Sequence, residues 1–297
     1  MTPSQQELLP LFPATSKEEV QHHVSVTPPK GSVPSLVKWT GGKRSQAARI
    51  AALAPTHNRY FEPFLGGGAV LYFLARPGSV AGDDYGPLVG LWRQVATDPA
   101  FVAEEYRRRW TDLQNDLPGH FYTVRERFNR DPNPSDLNFL LRTCVNGIVR
   151  FNDSGEFNNS FHLSRRGMQP DRFEDIVDRW HQRLRGVDIG HADFEATIER
   201  AKEGDFVYFD PPYAGTNQRY MTGPEPERLM SALGRLNDRG VKWALSYDGR
   251  RGEKEYEQAV PTGLFRRRVA LSSGLSAVGK VLNSSIEGVE EALYLNY

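Results

Sequence analysis

Two periodicities of apolar residues alternate along the chain and predict its elements. Short apolar runs typical of strands cover residues 59–64, 79–83, 187–189, 205–210, 241–246, 265–271 and 291–297. Helical spacing of apolar residues covers 43–53, 69–75, the segment that carries Leu88, Leu91, Trp92 and Val95, and 226–238. Strands that alternate with helices are typical of a parallel sheet covered by helices. The pattern predicts an α/β fold with a doubly wound, mostly parallel sheet.

The strand signal fades between about residues 98 and 186, where helical patterns surround a polar, glycine-bearing stretch at 150–167. Loops of that length without structure of their own are uncommon. We therefore predict a mainly helical insertion at 97–185 that divides the α/β domain into parts at 34–96 and 186–297. Residues 1–33 mix Pro, Ser, Thr and Gln without periodicity, which predicts a flexible tail.

Composition narrows the class of protein. The 297 residues include 37 basic and 37 acidic side chains, so the formal net charge is zero, and the single cysteine, Cys144, excludes an internal disulfide. No apolar run approaches the length of a membrane-spanning helix and no secretory signal is present, which predicts a cytoplasmic protein without a membrane partner. The histidines are scattered without metal-ligand spacing, so we predict no metal site. Basic residues do cluster locally, four of them without an acid in each of the segments 36–49 and 264–280.

A glycine-rich segment, Phe-Glu-Pro-Phe-Leu-Gly-Gly-Gly at 61–68, follows the first predicted strand. Glycines at this position let the backbone approach a ligand, and an acid at the end of the second strand commonly accepts hydrogen bonds from ribose hydroxyls. The spacing predicts an adenosine-containing cofactor, although a ligand-free turn and a helix-capping acid would explain the same residues. Val70 and Leu71 replace the last glycine of the dinucleotide fingerprint, which disfavours a dehydrogenase. The candidate cofactor-binding residues here are Glu62, Phe64, Gly66, Gly68 and Asp83.

The segment Asp-Pro-Pro-Tyr at 210–213 follows another buried strand. Two prolines remove two N–H donors, so the backbone presents carbonyls beside a carboxylate and an aromatic ring. A planar base with an exocyclic amine fits such a slot, and both adenine N6 and cytosine N4 satisfy it. The candidate catalytic residues are Asp210, Pro211, Pro212 and Tyr213, and the alternative interpretation is a structural turn with a buried tyrosine.

Five ordered motifs resemble those of the Dam-type DNA adenine-N6 methyltransferases. They are Lys-Trp-Thr-Gly-Gly-Lys at 38–43, the segment 61–68, Asp83, the segment Arg-Phe-Asn-Asp-Ser-Gly-Glu-Phe-Asn at 150–158, and Asp-Pro-Pro-Tyr at 210–213. The resemblance implies the S-adenosylmethionine-dependent methyltransferase fold, and methyl transfer from S-adenosylmethionine, without a metal, to N6 of an adenine flipped out of double-stranded DNA. It places Trp39, Lys43, Asp83 and Asp210 at the positions that hold the cofactor, and Asp193 and Phe194 near its adenine.

The resemblance also implies that residues 150–169 select the target site. The arginines of the insertion, which include Arg142, outnumber its nearby acids, and we predict DNA contacts by Arg150, Asn152, Asn158, Arg165 and Arg166. Residues 159–162 depart from the family pattern, so no target sequence is predicted. The expected partners are double-stranded DNA and a separately acting cognate restriction endonuclease, with the protein itself a monomer or weak dimer. The alternatives are a cytosine-N4 methyltransferase, a non-catalytic DNA-binding relative and a protein glutamine methyltransferase.

Overall fold

A computed structural model describes residues 27–164, 166–212, 224–251, 254–255, 260–275 and 288–297. The helices are α1 (Ala47–Leu53), α2 (Leu71–Leu74), α3 (Gly86–Thr97), α4 (Pro99–Asn115), α5 (Gly119–Arg130), α6 (Pro134–Thr143), α7 (Pro170–Arg183), α8 (Phe194–Ile198) and α9 (Pro226–Asp238). The strands are β1 (Tyr60–Glu62), β2 (Val80–Asp83), β3 (Asp188–His191), β4 (Phe206–Phe209), β5 (Lys242–Arg251), β6 (Lys254–Glu255), β7 (Arg267–Leu275) and β8 (Gly288–Leu295).

The strands form one sheet in the order β3-β2-β1-β4-β5-β8-β7, and the short β6 pairs with the end of β5. Neighbouring strands from β3 to β5 are parallel, whereas β8 runs antiparallel to both β5 and β7. The strand order reverses between β1 and β4, and such a switch point opens a crevice at the carboxyl ends of the strands. The sheet therefore offers a binding site between the segments that follow β1 and β4.

Alternate residues of the central strands enter two different cores. Tyr60 and Tyr208 belong to one apolar cluster, whereas their neighbours Phe61 and Val207 belong to another. Successive side chains of a strand point to opposite faces, so each face of the sheet is covered by its own core. The fold is thus the doubly wound, mostly parallel α/β sheet that the sequence predicts.

Helices α4 to α7 occupy the chain between β2 and β3, within the predicted insertion. Asp98 caps α4 by accepting from the N–H of Phe101 at 3.0 Å. A fully buried carboxylate, Asp136, joins α4, α5 and α6 because it accepts from Arg109 at 2.8 Å and from Arg127 at 2.6 Å. A buried charge is stable only when it is paired and hydrogen-bonded, so these contacts fix the relative positions of the three helices.

The insertion and the sheet share a core. Trp180 of α7 packs against Trp92 of α3 with ring centroids 4.7 Å apart, and its indole N–H donates to the carbonyl of Pro34 at 2.9 Å. Val33 is also buried, and its carbonyl accepts from Arg44 at 3.0 Å. The packed part of the chain thus includes Val33, while residues 1–26 of the predicted tail lie outside the described residues.

The last two residues are built into the core region. Asn296 accepts from the N–H of Trp243 at 2.7 Å and donates to the side-chain oxygen of Asn237 at 2.8 Å, which joins β5 to α9. Tyr297 donates its hydroxyl to the carbonyl of Leu53 at 2.9 Å and packs its ring edge-on against Phe206.

Among the described residues, no helix is both long and apolar enough to cross a lipid bilayer.

Candidate active site

A cavity of about 440 Å³ opens at the carboxyl ends of β1, β2 and β4. Volumes of this size are typical of sites for small molecules and cofactors. All ten predicted cofactor-binding residues line it, although they come from five separate segments: Trp39, Lys43, Glu62, Phe64, Gly66, Gly68, Asp83, Asp193, Phe194 and Asp210. Pro211 and Pro212 also line the cavity, whereas Tyr213 lies outside the described residues.

The glycine turn after β1 forms one wall of the cavity. Gly66 has φ of +44°, and a Cβ atom there would lie 2.9 Å from Cδ1 of Trp39. Gly68 has φ of +63°, and its Cβ would lie 3.1 Å from the Trp92 ring and 3.2 Å from that of Trp180. Positive φ favours glycine at both positions, and the close rings leave no room for a side chain. Glycine at these two positions therefore lets the backbone of the turn line the cavity directly.

Asp83, at the end of β2, is tied to the same turn. Its carboxylate accepts from the N–H of Gly66 at 2.9 Å and from the N–H of Tyr85 at 3.1 Å. Burial raises the pKa of Asp83 to about 6, and these two N–H groups oppose that rise. Near neutral pH the group is thus a fixed, ionised acceptor that faces the cavity.

Lys43 and Asp210 form an ion pair in the cavity. The Lys43 ammonium lies 2.7 Å from Oδ1 of Asp210 and 3.6 Å from Oε2 of Glu291, and it donates to the carbonyl of Gly41 at 3.2 Å. Burial raises the pKa of Asp210, while the adjacent ammonium of Lys43 opposes the rise. The pair keeps a carboxylate available at the end of β4, beside two residues that lack N–H donors.

Glu62 is a second buried carboxyl group in the cavity wall. It is 3% exposed and accepts from the hydroxyl of Tyr60 at 2.5 Å. Burial raises its pKa to about 8, the hydroxyl of Tyr60 opposes that rise, and the charge of Asp210 adds to it. Sequence analysis did not identify Tyr60, although two residues separated by two positions on a strand point to the same face.

An aromatic pair also lines the cavity. The rings of Phe64 and Phe194 stack with centroids 5.5 Å apart, and the guanidinium of Arg228 lies 5.1 Å from the centroid of Phe194. Arg228 also donates to Asp193 at 3.0 Å, and the same Asp193 oxygen caps α8. Sequence analysis missed Arg228 because no local pattern shows that the first turn of α9 reaches this cavity.

The predicted DNA-contacting segment forms a short hairpin. Phe151 and Phe157 form an isolated antiparallel bridge, and the side-chain oxygen of Asn152 accepts from the N–H groups of Ser154 and Glu156 at 3.0 and 2.8 Å. Asn152 therefore builds the turn. Arg150 and Arg166 are exposed, Asn158 is half-buried and Arg165 lies outside the described residues.

An aromatic chain joins this hairpin to the cavity. Tyr85 contacts Phe151 on one side and Trp39 on the other, with ring centroids 6.0 Å apart in both pairs. The segments that precede and follow the hairpin pair with each other, since the N–H of Val145 donates to the carbonyl of Ser160 at 2.9 Å. These contacts place the hairpin next to the cavity that contains Trp39.

Two basic residues face inward. Arg142 was expected in the basic surface of the insertion, and this prediction is wrong because Arg142 is 5% exposed and donates to the carbonyl of Leu36 at 2.5 Å. Burial lowers its pKa to about 10, and its guanidinium packs over Phe173. Lys43 is likewise buried, so the positive charge of the segment 36–49 is only partly at the surface.

In the described ranges, no group of three or more His, Cys, Asp or Glu side chains is arranged to hold a metal ion.

Comparison with known proteins identifies the family. The model of the D12 class N6 adenine-specific DNA methyltransferases matches residues 39–266. The chain is 30% identical over 298 residues to the type II methyltransferase M.MjaIII of Methanocaldococcus jannaschii, which covers 89% of this chain and 99% of the relative. It is 31% identical over 190 residues to the type II methyltransferase M1.LlaDCHI of Lactococcus lactis subsp. cremoris, covering 60% of this chain and 65% of that one. It is also 28% identical over 184 residues to a DNA adenine methylase of Serratia marcescens, covering 61% and 67%. The chain belongs to the D12 class of N6 adenine-specific DNA methyltransferases.

Proposed function

We propose that this protein methylates N6 of an adenine that is flipped out of double-stranded DNA at a specific site, with S-adenosylmethionine as the donor. One observation carries the proposal: the glycine turn, Asp83 and the segment Asp210-Pro211-Pro212 line a single cavity at the switch point of the sheet. Membership of the family implies S-adenosylmethionine, and the cavity suits it because glycines bring backbone close while Asp83 offers a fixed acceptor.

Each group of the cavity has a distinct task in this proposal. Asp83 would hold the ribose hydroxyls of the cofactor, Phe64 and Phe194 would bind its adenine, and Trp39 and Lys43 would complete the pocket. When bound, the donor supplies an electrophilic methyl group on a sulfonium. The chain contributes orientation, since the ammonium of Lys43 lies 2.7 Å from Asp210 and favours the ionised form of that carboxyl group.

The target amine is a weak nucleophile because its lone pair is delocalised into the ring. The carboxylate of Asp210 and the carbonyl of Pro211 accept hydrogen bonds from its two N–H groups, which favours the form with an available lone pair. The bound donor would supply the methyl group to this nitrogen with its thioether as the leaving group, and Asp210 or water would accept the proton that the nitrogen then loses. We assign to Tyr213 the stacking that the flipped base loses in the duplex.

We place the DNA on the side of the hairpin 150–158. Among the described residues, three of the four exposed large apolar side chains lie on the paired segments beside it: Val145, Ile148 and Leu163, which are 36%, 38% and 82% exposed. Arg150, two positions after Ile148, and Arg166, three positions after Leu163, are also exposed. Apolar side chains beside arginines are suited to contact base steps while the arginines contact phosphates. We further propose that the enzyme acts in the cytoplasm without a metal ion, as a monomer or weak dimer. A cognate restriction endonuclease acts separately.

The assay incubates the protein with labelled methyl donor and mixed-sequence duplex DNA, followed by digestion to nucleosides. We expect label in N6-methyladenine and its loss in Asp210→Ala, with thermal melting showing that the variant remains folded. Label in N4-methylcytosine, or in protein, would overturn the assignment. Sequencing of the modified bases in the same DNA then gives the target site.

A further inference from the structure

Tyr60 lies behind the cavity wall. Its side chain is fully buried and its hydroxyl donates to Oε2 of Glu62 at 2.5 Å, whereas Glu62 itself lines the cavity. A buried phenol hydroxyl usually has a hydrogen-bond partner, and here that partner is a carboxyl group of the binding site. Tyr60 therefore reaches the cavity only through Glu62.

Among the described residues, the groups that act on Glu62 are an acid, two phenols and a backbone N–H. Asp210 and Tyr208 face it from β4, and the N–H of Leu71 donates to it from α2. The ammonium of Lys43 lies 2.7 Å from Asp210 and 3.6 Å from Glu291 of β8. Within the described part of the chain, Glu62 takes part in no ion pair closer than 4.0 Å. A buried carboxyl group that faces an open cavity without a protein cation is suited to a cationic ligand.

We propose that Tyr60 is a positioning residue that holds the Glu62 carboxylate for a cationic group of S-adenosylmethionine, and that cofactor binding displaces a proton from Glu62 to solvent. Tyr60 keeps its own proton throughout. The inference rests on the proposed function, since it concerns how the same cavity binds the donor. The cation is either the ammonium or the sulfonium of the cofactor, and the experiment below distinguishes them.

The direction of the pH effect follows from the burial of Glu62. Because its pKa is about 8 in the empty cavity, most molecules carry the proton at neutral pH. A cation bound beside Glu62 lowers that pKa, so affinity rises with pH until the free carboxyl is ionised. Tyr60→Phe removes a hydrogen bond to the charged form, so the pKa of the free group rises further and binding at neutral pH weakens.

Isothermal titration calorimetry tests the inference without turnover. S-adenosylmethionine and S-adenosylhomocysteine are titrated between about pH 6.5 and 9 in pairs of buffers with different ionisation enthalpies, which gives the number of protons released. The α-amino group of the ligand titrates near pH 8 as well. The contribution of Glu62 is therefore the difference between the wild type and Glu62→Gln.

We expect the wild type to release more protons than Glu62→Gln near pH 7, and Tyr60→Phe to bind about tenfold more weakly there. In the Glu62→Gln background, Tyr60→Phe should have no further effect on affinity. The matched control is Tyr297→Phe, which loses a buried hydroxyl that donates to the carbonyl of Leu53 at 2.9 Å, and should bind like the wild type. Release with both ligands assigns the ammonium, and release with S-adenosylmethionine alone assigns the sulfonium.

Equal proton release by the wild type and Glu62→Gln would overturn the inference. So would a tenfold loss from Tyr60→Phe that persists in the Glu62→Gln background, since that loss reflects structure alone. If the wild type binds both ligands with neither effect, the cofactor assignment stands and only the role of Tyr60 fails. If the folded wild type binds neither ligand, the proposed function fails with it.

Discussion

Replacement of Gly68 by alanine tests whether tight packing behind the glycine turn shapes the cofactor cavity. Gly68 has φ of +63°, and the new Cβ would lie 3.1 Å from Trp92 and 3.2 Å from Trp180, both fully buried. The matched control is Gly240→Ala, because Gly240 has φ of +67° but its Cβ would meet only the exposed, flexible side chain of Glu203, at 3.4 Å. The two variants therefore share the backbone strain and differ in the contact with the rings.

The left-handed conformation costs an alanine about 1–2 kcal/mol at either site. Overpacking against two buried rings adds about 1–3 kcal/mol at Gly68 alone. For a chain of this size, about 2 °C of melting temperature is lost per kcal/mol, so we expect losses of about 2–4 °C for Gly240→Ala and about 4–10 °C for Gly68→Ala.

Cofactor affinity separates the variants further. Trp92 donates to the carbonyl of Gly66 at 3.0 Å, so displacement of its ring moves the turn that lines the cavity. We expect Gly68→Ala to bind S-adenosylhomocysteine at least about tenfold more weakly than Gly240→Ala does, because small displacements in a site have large effects. Scanning fluorimetry and titration calorimetry measure the two quantities. Equal melting temperatures and equal affinities for both variants would refute the packing argument.

Four further predictions concern charge and surface contact. Lys43→Met removes the cation that opposes the rise in the pKa of Asp210, so that pKa should rise further. The acidic limb of the plot of methylation rate against pH should then move to higher pH, and an acidic limb that stays in place contradicts this. Because burial raises the pKa of Asp83 to about 6, cofactor affinity should fall as pH drops from 7 to 5, and Asp83→Asn should flatten that fall. Asp136→Asn removes the carboxylate that Arg109 and Arg127 share and leaves buried Arg109 with its ion pair to Glu105, so it should cost at most about 3–5 kcal/mol in urea unfolding at pH 7. Folding lowers the pKa of Asp136, so the stability that its ionised form contributes is lost as pH falls below about 4. The cost of Asp136→Asn should therefore be smaller at pH 3 than at pH 7, and an equal cost at both pH values would contradict this account. Leu163→Ser should weaken duplex DNA binding several-fold in a fluorescence anisotropy assay without changing the melting temperature, and unchanged affinity removes Leu163 from the interface.

The central strands could be predicted because their signal is local. The apolar run before Asp210 and the run before the glycine turn are both short and bounded by prolines and glycines, and each contains a strand. The ten cofactor candidates gather in one cavity because parallel strands end at the same edge of the sheet. Helix α1 starts at Ala47 rather than at the predicted Lys43, whose ammonium is directed into the cavity.

Contacts between distant segments could not be read from local pattern. Arg142 lies in a run of buried residues that extends from Asp136 to the end of α6, and counting charges along a sequence does not distinguish an inward arginine from an outward one. Arg228 reaches the cavity from α9, and Pro224 and Glu225 just before that helix also line it, although no local pattern marks this segment as part of the site. The sequence also could not show that the sheet contains antiparallel strands, since an apolar run does not indicate whether β8 pairs parallel or antiparallel with β5.

The anchoring of Asn296 and Tyr297 has a practical consequence for handling this enzyme. Their side chains hold together β5, α9 and the end of α1, so a label attached to either side chain would disrupt the contacts between the sheet and the helices. In the described part of the chain, residues 27–32 are exposed throughout and directly precede the buried Val33, so this stretch is the better place to attach a label or a surface tether.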